Sequence, residues 1–375
     1  MKDIGDHRNR DFFDVENDLA VNHLAQQWAK KYLHSIKSNK SYEIENDAQT
    51  LADVASPLQR KKTAKKLLNF LSSATFQAWN QTNALLSEEI KRHNIDTQLI
   101  NPWEIAAEAS KIYSQALDIY GQQIFPKTSD SQWNLIYTNK CSTAEMEEVE
   151  SQNINSNQLS TIISPQLGML RQKYTQKDPK VIGVVCVMFH YTSQMLLQTL
   201  SPWEQVLVGG YFKVIDDHLY IPLQRAYKAA TVHDKTSPAL AAVQTLLPIS
   251  TQIAKKISQK IIELNPHYYS LSGSLNDSPV KTSSIRDVEM FQVYLWICTL
   301  EGSVAAIQQE LFPLCVMLYP KLNIQWHIVR QMLQLLEQEI SQQLNSEQFY
   351  TLLPYLHVLW QMFSPQVFEE FDFLN

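Results

Sequence analysis

The sequence predicts an all-α fold, a multi-helix antiparallel bundle with a smaller N-terminal helical lobe. Three observations predict it. Polar–proline pairs recur where helices should open, apolar residues return at three- and four-residue steps, and glycine and long alternating stretches are scarce.

The polar–proline pairs are Ser56-Pro57, Asn101-Pro102, Ser164-Pro165, Asp178-Pro179, Ser201-Pro202, Ser237-Pro238 and Ser364-Pro365. Proline suits the first helical position because its missing N–H has no partner there anyway. The preceding Ser, Asn or Asp caps the free amides of the first turn. Gln59, Glu104 and Glu204 stand three residues after their caps, which adds the reciprocal bond of a capping box. NPWE at 101–104 and SPWE at 201–204 read as convergent capping rather than an internal repeat. Their Trp103 and Trp203 are expected to staple the helix starts onto neighbours.

Helical spacing is clearest from Trp326 to Leu344. Val329, Leu333, Leu336, Ile340 and Leu344 share one face, and Gln331, Gln334, Gln338 and Gln342 the opposite one. Ala107, Ile112 and Leu117 behave similarly. Val181 to Leu197 is nearly continuous apolar sequence, yet shorter than the roughly 20 residues of a spanning helix. With His190, Ser193 and Gln194 inside it, the run reads as a buried core helix. A short buried strand is the second reading and a membrane span the third.

Eight glycines in 375 residues fall far below the usual share of about 7%. Phosphate-cradling loops need glycine for close backbone approach. Neither GxGxxG nor GxxxxGK[ST] occurs, which argues against dinucleotide-binding, P-loop and kinase folds. The net charge of −6 argues against general nucleic-acid binding. Cys141, Cys186, Cys298 and Cys315 form no CxxC pair, so neither a disulfide framework nor a cysteine zinc site is expected. The N-terminus is too charged for a secretory signal. A cytoplasmic protein without a transmembrane segment is expected.

Composition shifts suggest an N-terminal helical lobe at 1–125, a linker at 126–158 and a main helical domain at 159–375. Further loops are expected at Ser38–Asn46 and Leu271–Ser284.

The most suggestive chemical cluster is Asp216-Asp217-His218, within VIDDHLYIP. Asp217 is spaced to pair with Lys213 one turn earlier. Pro222 clashes with the His218 carbonyl and should kink or break the helix there. The bared carbonyl beside two carboxylates offers oxygens to a divalent cation. The competing and favoured reading is structural: Asp217 a surface ion-pair partner, Asp216 bonded to a neighbouring helix, His218 a helix cap. The motifs DDxxD, HExxH and paired ExxH are not present. His190 and Glu301 also sit in apolar runs. A buried carboxylate needs a partner, so Glu301 either has one, which Arg286 or a histidine could be, or lies at a mouth. His190, Glu204, Asp216, Asp217, His218 and Glu301 are therefore the candidate pocket residues, a metal or acid–base site if they converge. A helical bundle could also hold haem or a pigment, with His190 or His218 as ligand.

The basic run Arg60, Lys61, Lys62, Lys65 and Lys66 reads first as a solvated face. Its second reading is a docking patch for an acidic partner, RNA or an anionic membrane surface.

The runs SPWEQVLVGGYFKVIDDHLYIPLQRAY and RDVEMFQVYLWICTLEG resemble cyanobacterial helical proteins of unassigned function. That resemblance implies a helical fold and transfers no functional residue. The expected function is a non-enzymatic interaction protein (adaptor, assembly factor or regulator) with a protein partner and no required cofactor. A metal-dependent or acid–base enzyme and a haem- or pigment-binding module are the alternatives.

Overall fold

Most of the polar–proline pairs open helices where expected. The computed structural model describes residues 20–32, 53–122 and 156–372. Helical residues 20–29 and 31–32 form α1. Helix α2 spans Pro57–Arg92, and the Ser56 side chain accepts from the Gln59 amide at its start. Helix α3 spans Pro102–Gln122, with Asn101 Oδ1 accepting from the amides of Trp103 and Glu104. Helices α4 (Ser156–Thr175), α5 (Val181–Gln198) and α6 (Pro202–Tyr220) follow. Next come α7 (Leu223–Thr231), α8 (Pro238–Leu246) and α9 (Ser250–Leu264). Helix α10 spans Ser278–Glu301 and leads to a π-helical turn at Ile307–Leu311. The chain continues through α11 (Phe312–Leu318), α12 (Trp326–Gln343), α13 (Ser346–Met362) and α14 (Pro365–Asp372). The fold is all-α. The described residues hold one two-stranded antiparallel hairpin, β1 (Tyr269–Ser270) against β2 (Gly273–Ser274).

Several expectations change. Pro165 lies inside α4 rather than at a helix start. Pro179 precedes the start of α5 by two residues, and Asp178 Oδ1 accepts from the Lys180 amide there. The second half of the expected loop at 271–284 is the first turns of α10. Trp103 does not staple its helix: it is 76% exposed. The expected loop at 38–46 lies outside the described residues. So does the expected linker, apart from 156–158, which begin α4.

One capping box was not anticipated. Asn345 accepts from the Gln348 amide at 2.9 Å, and the Gln348 side chain accepts from the Asn345 amide at 3.2 Å. No proline marks this start, so the proline pattern passed over it. Asn345→Ala is expected to destabilise the fold by about 1 kcal/mol. An unchanged urea midpoint would show that this cap contributes nothing.

The chain divides into two compact units. The first combines Met1–Trp28, Gly168–Gly183 and Tyr220–Asn375; the second combines Ala29–Leu167 and Val184–Leu219. In the first unit α10 is the central helix. From Val288 to Leu300 every residue of it is buried, which a helix achieves only when neighbours cover all sides. Helices α7, α8, α9 and α13 pack against it. Its carboxyl end stops at Gly302, whose φ of 62° is left-handed and suits a residue without Cβ. Phe363 completes this core, with ring centroids 5.5 Å from Phe291 and 5.3 Å from Phe312. The apolar face read from Trp326 to Leu344 is buried, and Gln334, Gln338 and Gln342 are exposed.

In the second unit α2 and α3 run antiparallel. The Arg60 guanidinium lies 4.4 Å from the Tyr120 ring centroid, which joins the start of α2 to the end of α3. A Cβ on Gly121 would meet the Ala64 Cβ at 3.2 Å, so glycine permits this close approach. Tyr113 packs edge-on against Phe212 of α6 at 5.0 Å. The apolar run at 181–197 is a helix, not a strand. By length and composition α5 would suffice to cross a membrane, yet 67% of it is buried within the protein.

Candidate functional site

Helix α6 carries most of the residues singled out from the sequence. Neighbouring residues on a helix point about 100° apart, so Asp216 and Asp217 reach different surroundings. Asp217 is fully buried. Lys213 Nζ donates to both of its oxygens at 2.9 Å, as the four-residue spacing predicts. Lys31 Nζ lies 3.3 Å from Oδ2, and the Tyr32 hydroxyl donates to the same oxygen at 3.0 Å. The expectation of a surface ion pair is thus corrected: the pair is interior and has a second lysine. Lys31 and Tyr32 carry no sequence signal for this role, because they lie far from Asp217 along the chain, Tyr32 by 185 residues.

His218 is also buried and is not a helix cap. Its Nδ1–H donates to the Val214 carbonyl at 2.8 Å, and its Nε2 accepts from the Ser160 hydroxyl at 3.2 Å. Burial pushes its pKa down to about 4, with Lys31 and Lys213 adding to the fall. The Val214 bond and the Asp217 charge oppose that shift. The ring is therefore neutral near pH 7, and both nitrogens are engaged. That leaves neither nitrogen for a haem iron.

Asp216 turns toward α5. His190 Nδ1 donates to Asp216 Oδ2 at 2.9 Å, and the Gln194 amide donates to His190 Nε2 at 2.9 Å. These bonds assign the proton to Nδ1. Close by, the Tyr113 hydroxyl donates to the Phe189 carbonyl at 2.9 Å and meets Ser193 Oγ at 2.6 Å. Burial pushes the Tyr113 pKa well up, and the Asp216 charge adds to it. The group orients a histidine through a carboxylate, but Gln194 occupies the nitrogen that would act as a base.

Glu204 serves a different purpose. It accepts from the Ser201 amide and hydroxyl at 3.0 and 2.9 Å, the capping box read from the sequence. Thr63 donates to its other oxygen at 2.6 Å. Burial alone would raise the Glu204 pKa; the bonds from Thr63 and Ser201, with Lys66 nearby, lower it overall. In the basic run, Arg60 is buried against Tyr120, so only the lysines at 61, 62, 65 and 66 form an exposed face. Lys66 Nζ donates to the Thr199 carbonyl.

Glu301 belongs to the first unit and is exposed at the end of α10, so of its two readings the buried one is corrected. Its partner is Arg225, bonded in fork fashion at 2.7 and 2.6 Å. Arg286 instead bonds Asp287 and lies over the Tyr220 ring at 3.7 Å. Arg225 also reaches Glu310 at 2.5 Å. Arg171 donates to the Tyr294 hydroxyl at 2.9 Å and lies 3.4 Å from Glu310. The Glu301 bond leads in raising the Arg225 pKa, with the Glu310 charge adding against burial. Sequence reasoning missed this network, although Glu310, an acid beside LFPLCVML, was a readable signal.

The candidate pocket residues therefore belong to separate bonded groups. Pro222 does end α6 as expected, since α7 begins at Leu223. Asp217 is committed to lysines, Asp216 to a histidine, and Glu204 to its cap and Thr63. Among the described residues no group of His, Cys, Asp and Glu is arranged to hold a metal ion.

A family model described as "Phycobilisome protein" matches residues 207–362. The matched stretch runs from inside α6 to the last residue of α13, less than half of the chain. It takes in α10 and the helices packed on it. The curated proteins and the solved structures yield no match. The match agrees with the all-helical, cyanobacterial character read from SPWEQVLVGGYFKVIDDHLYIPLQRAY and RDVEMFQVYLWICTLEG.

Proposed function

We propose that this chain is a helical assembly protein of the phycobilisome type, acting through contacts with other proteins rather than through catalysis. The observation that carries the reading is the match of residues 207–362, the stretch that builds most of the first unit's core. Phycobilisome proteins work in complexes. The polar groups support the same reading. Asp217, His218, His190 and Glu310 are each held by neighbouring side chains or carbonyls in a way that fixes helices. The exposed Gln334, Gln338 and Gln342 of α12 offer amide donors and acceptors suited to protein contact.

The test is co-sedimentation. A tagged full-length chain, expressed in a phycobilisome-bearing cell, is expected to travel with intact phycobilisomes through a density gradient. It should also retain their subunits on affinity capture. A chain that stays with the free proteins and retains none of those subunits would overturn the proposal.

The same match favours a second reading, a pigment-carrying module, because phycobilisome proteins bind bilins covalently. An absorption spectrum of the chain purified from its bilin-producing host tests it. A visible band that follows the protein through gel filtration supports it, and a spectrum without one refutes it.

A further inference from the structure

We infer that Cys186, Cys298 and Cys315 carry no thioether-linked bilin, so the stretch that matches the phycobilisome family is pigment-free at its own cysteines. The inference rests on the family reading above and concerns how that family's pigment chemistry fares in this chain.

Covalent attachment adds a thiol across a side-chain double bond of the open-chain tetrapyrrole. A sulfur–carbon bond forms, and the thiol proton ends on the neighbouring carbon. The thiolate is the attacking species. A competent cysteine therefore needs an accessible sulfur and a means of losing its proton.

None of the three has these. All are fully buried. Cys298 lies on α10 within the stretch that is buried on every side. Burial pushes its thiol up to about 11, and the Glu301 charge adds to the effect. Cys315 lies on α11 with Leu314, Met317 and Leu318, all buried. Burial raises its thiol well above the ordinary value, and the Asp287 charge adds again. Cys186 lies between buried Val185 and Val187 in α5. The charge near Cys315 is the Asp287 carboxylate, the reverse of what activates a thiol; near Cys298 the Arg225 charge and the amides of Ile307 and Ala306 favour the thiolate, but burial and Glu301 outweigh them. A bilin also brings two propionates that need cations. Arg171 and Arg225 already hold Glu310 and Glu301. Cys141 lies outside the described residues and outside this inference.

The experiment is peptide mapping of the full chain co-expressed with bilin synthesis and attachment enzymes. Peptides bearing Cys186, Cys298 and Cys315 are expected without pigment. A bilin confined to the Cys141 peptide, or no bilin at all, supports the inference; a bilin mass on any of the other three overturns it. Iodoacetamide labelling of the native chain gives an independent reading without variants. The three thiols should react at least ~100-fold more slowly than after denaturation in guanidinium. Comparable rates would overturn the inference. Failure to co-sediment with phycobilisomes would instead sink the assembly reading and leave this chemistry untouched.

Discussion

Replacing Asp217 with alanine is expected to destabilise the fold by about 3–5 kcal/mol, the usual effect of removing one partner from a buried ion pair. The size follows from what is left behind. Lys213 and Lys31 both lie against this carboxylate, and Lys31 has only 9% of its side chain exposed. Without Asp217 the two ammonium groups face each other in a poorly solvated interior, and Tyr32 loses its acceptor. Urea denaturation of wild type and variant measures the effect. A loss below about 1 kcal/mol would mean that the lysines reach water, and that the interior pair is not a fixed part of the second unit. Asp217→Leu combined with Lys31→Met and Lys213→Met should recover much of the loss. Apolar replacement of a whole buried ionic group is often neutral.

Acidification is expected to weaken the fold through His218. Its folded pKa of about 4 lies below the ordinary 6.5. Above pH 6.5 the ring is neutral in both folded and unfolded chains, and the contribution is fully present. Between 6.5 and 4 the unfolded chain binds the proton and the folded chain does not, so stability falls as pH falls. The total loss is roughly 3 kcal/mol by linkage. The groups that set this behaviour are Asp217, Lys31, Lys213, Ser160 and the Val214 carbonyl. Stability against pH for wild type and His218→Asn isolates the contribution, since other groups titrate equally in both. The difference between the two curves should change through that window. A constant difference would mean that His218 accepts a proton as readily folded as unfolded.

The helices were legible because their causes are local. Pro57, Pro102, Pro202 and Pro238 each follow a capping residue, and each opens a helix. The Lys213–Asp217 pair was legible for the same reason, being one turn of one helix. Pro165 misled because a helix already under way can absorb a proline when neighbours hold it. The burial of Asp217 was not legible: it depends on Lys31 and Tyr32, which only the folded chain brings near. The apolar run before Glu301 left open whether it is buried or at a mouth, and did not point to Arg225 as its partner. Position at the helix end, beside Gly302, turns it outward toward Arg225. The cysteines stood in apolar runs, and the buried-hydrophobe reading of Cys186, Cys298 and Cys315 holds in the fold.

The π-helical turn at Ile307–Leu311 has a consequence for the insertions and deletions this chain tolerates. Such a turn holds one residue more than a regular helix. That extra residue lets Glu310 reach Arg225 and Arg171 while Ile307 and Leu311 stay buried. Deleting a single residue there would restore a regular helix and rotate everything after it by about 100°. Leu314, Cys315 and Leu318 would swing away from the interior together. A related chain one residue shorter at this point should therefore lack the Glu310 ion pairs and carry a different apolar pattern in its next helix. The alignment gap and the charge network should be gained or lost as one.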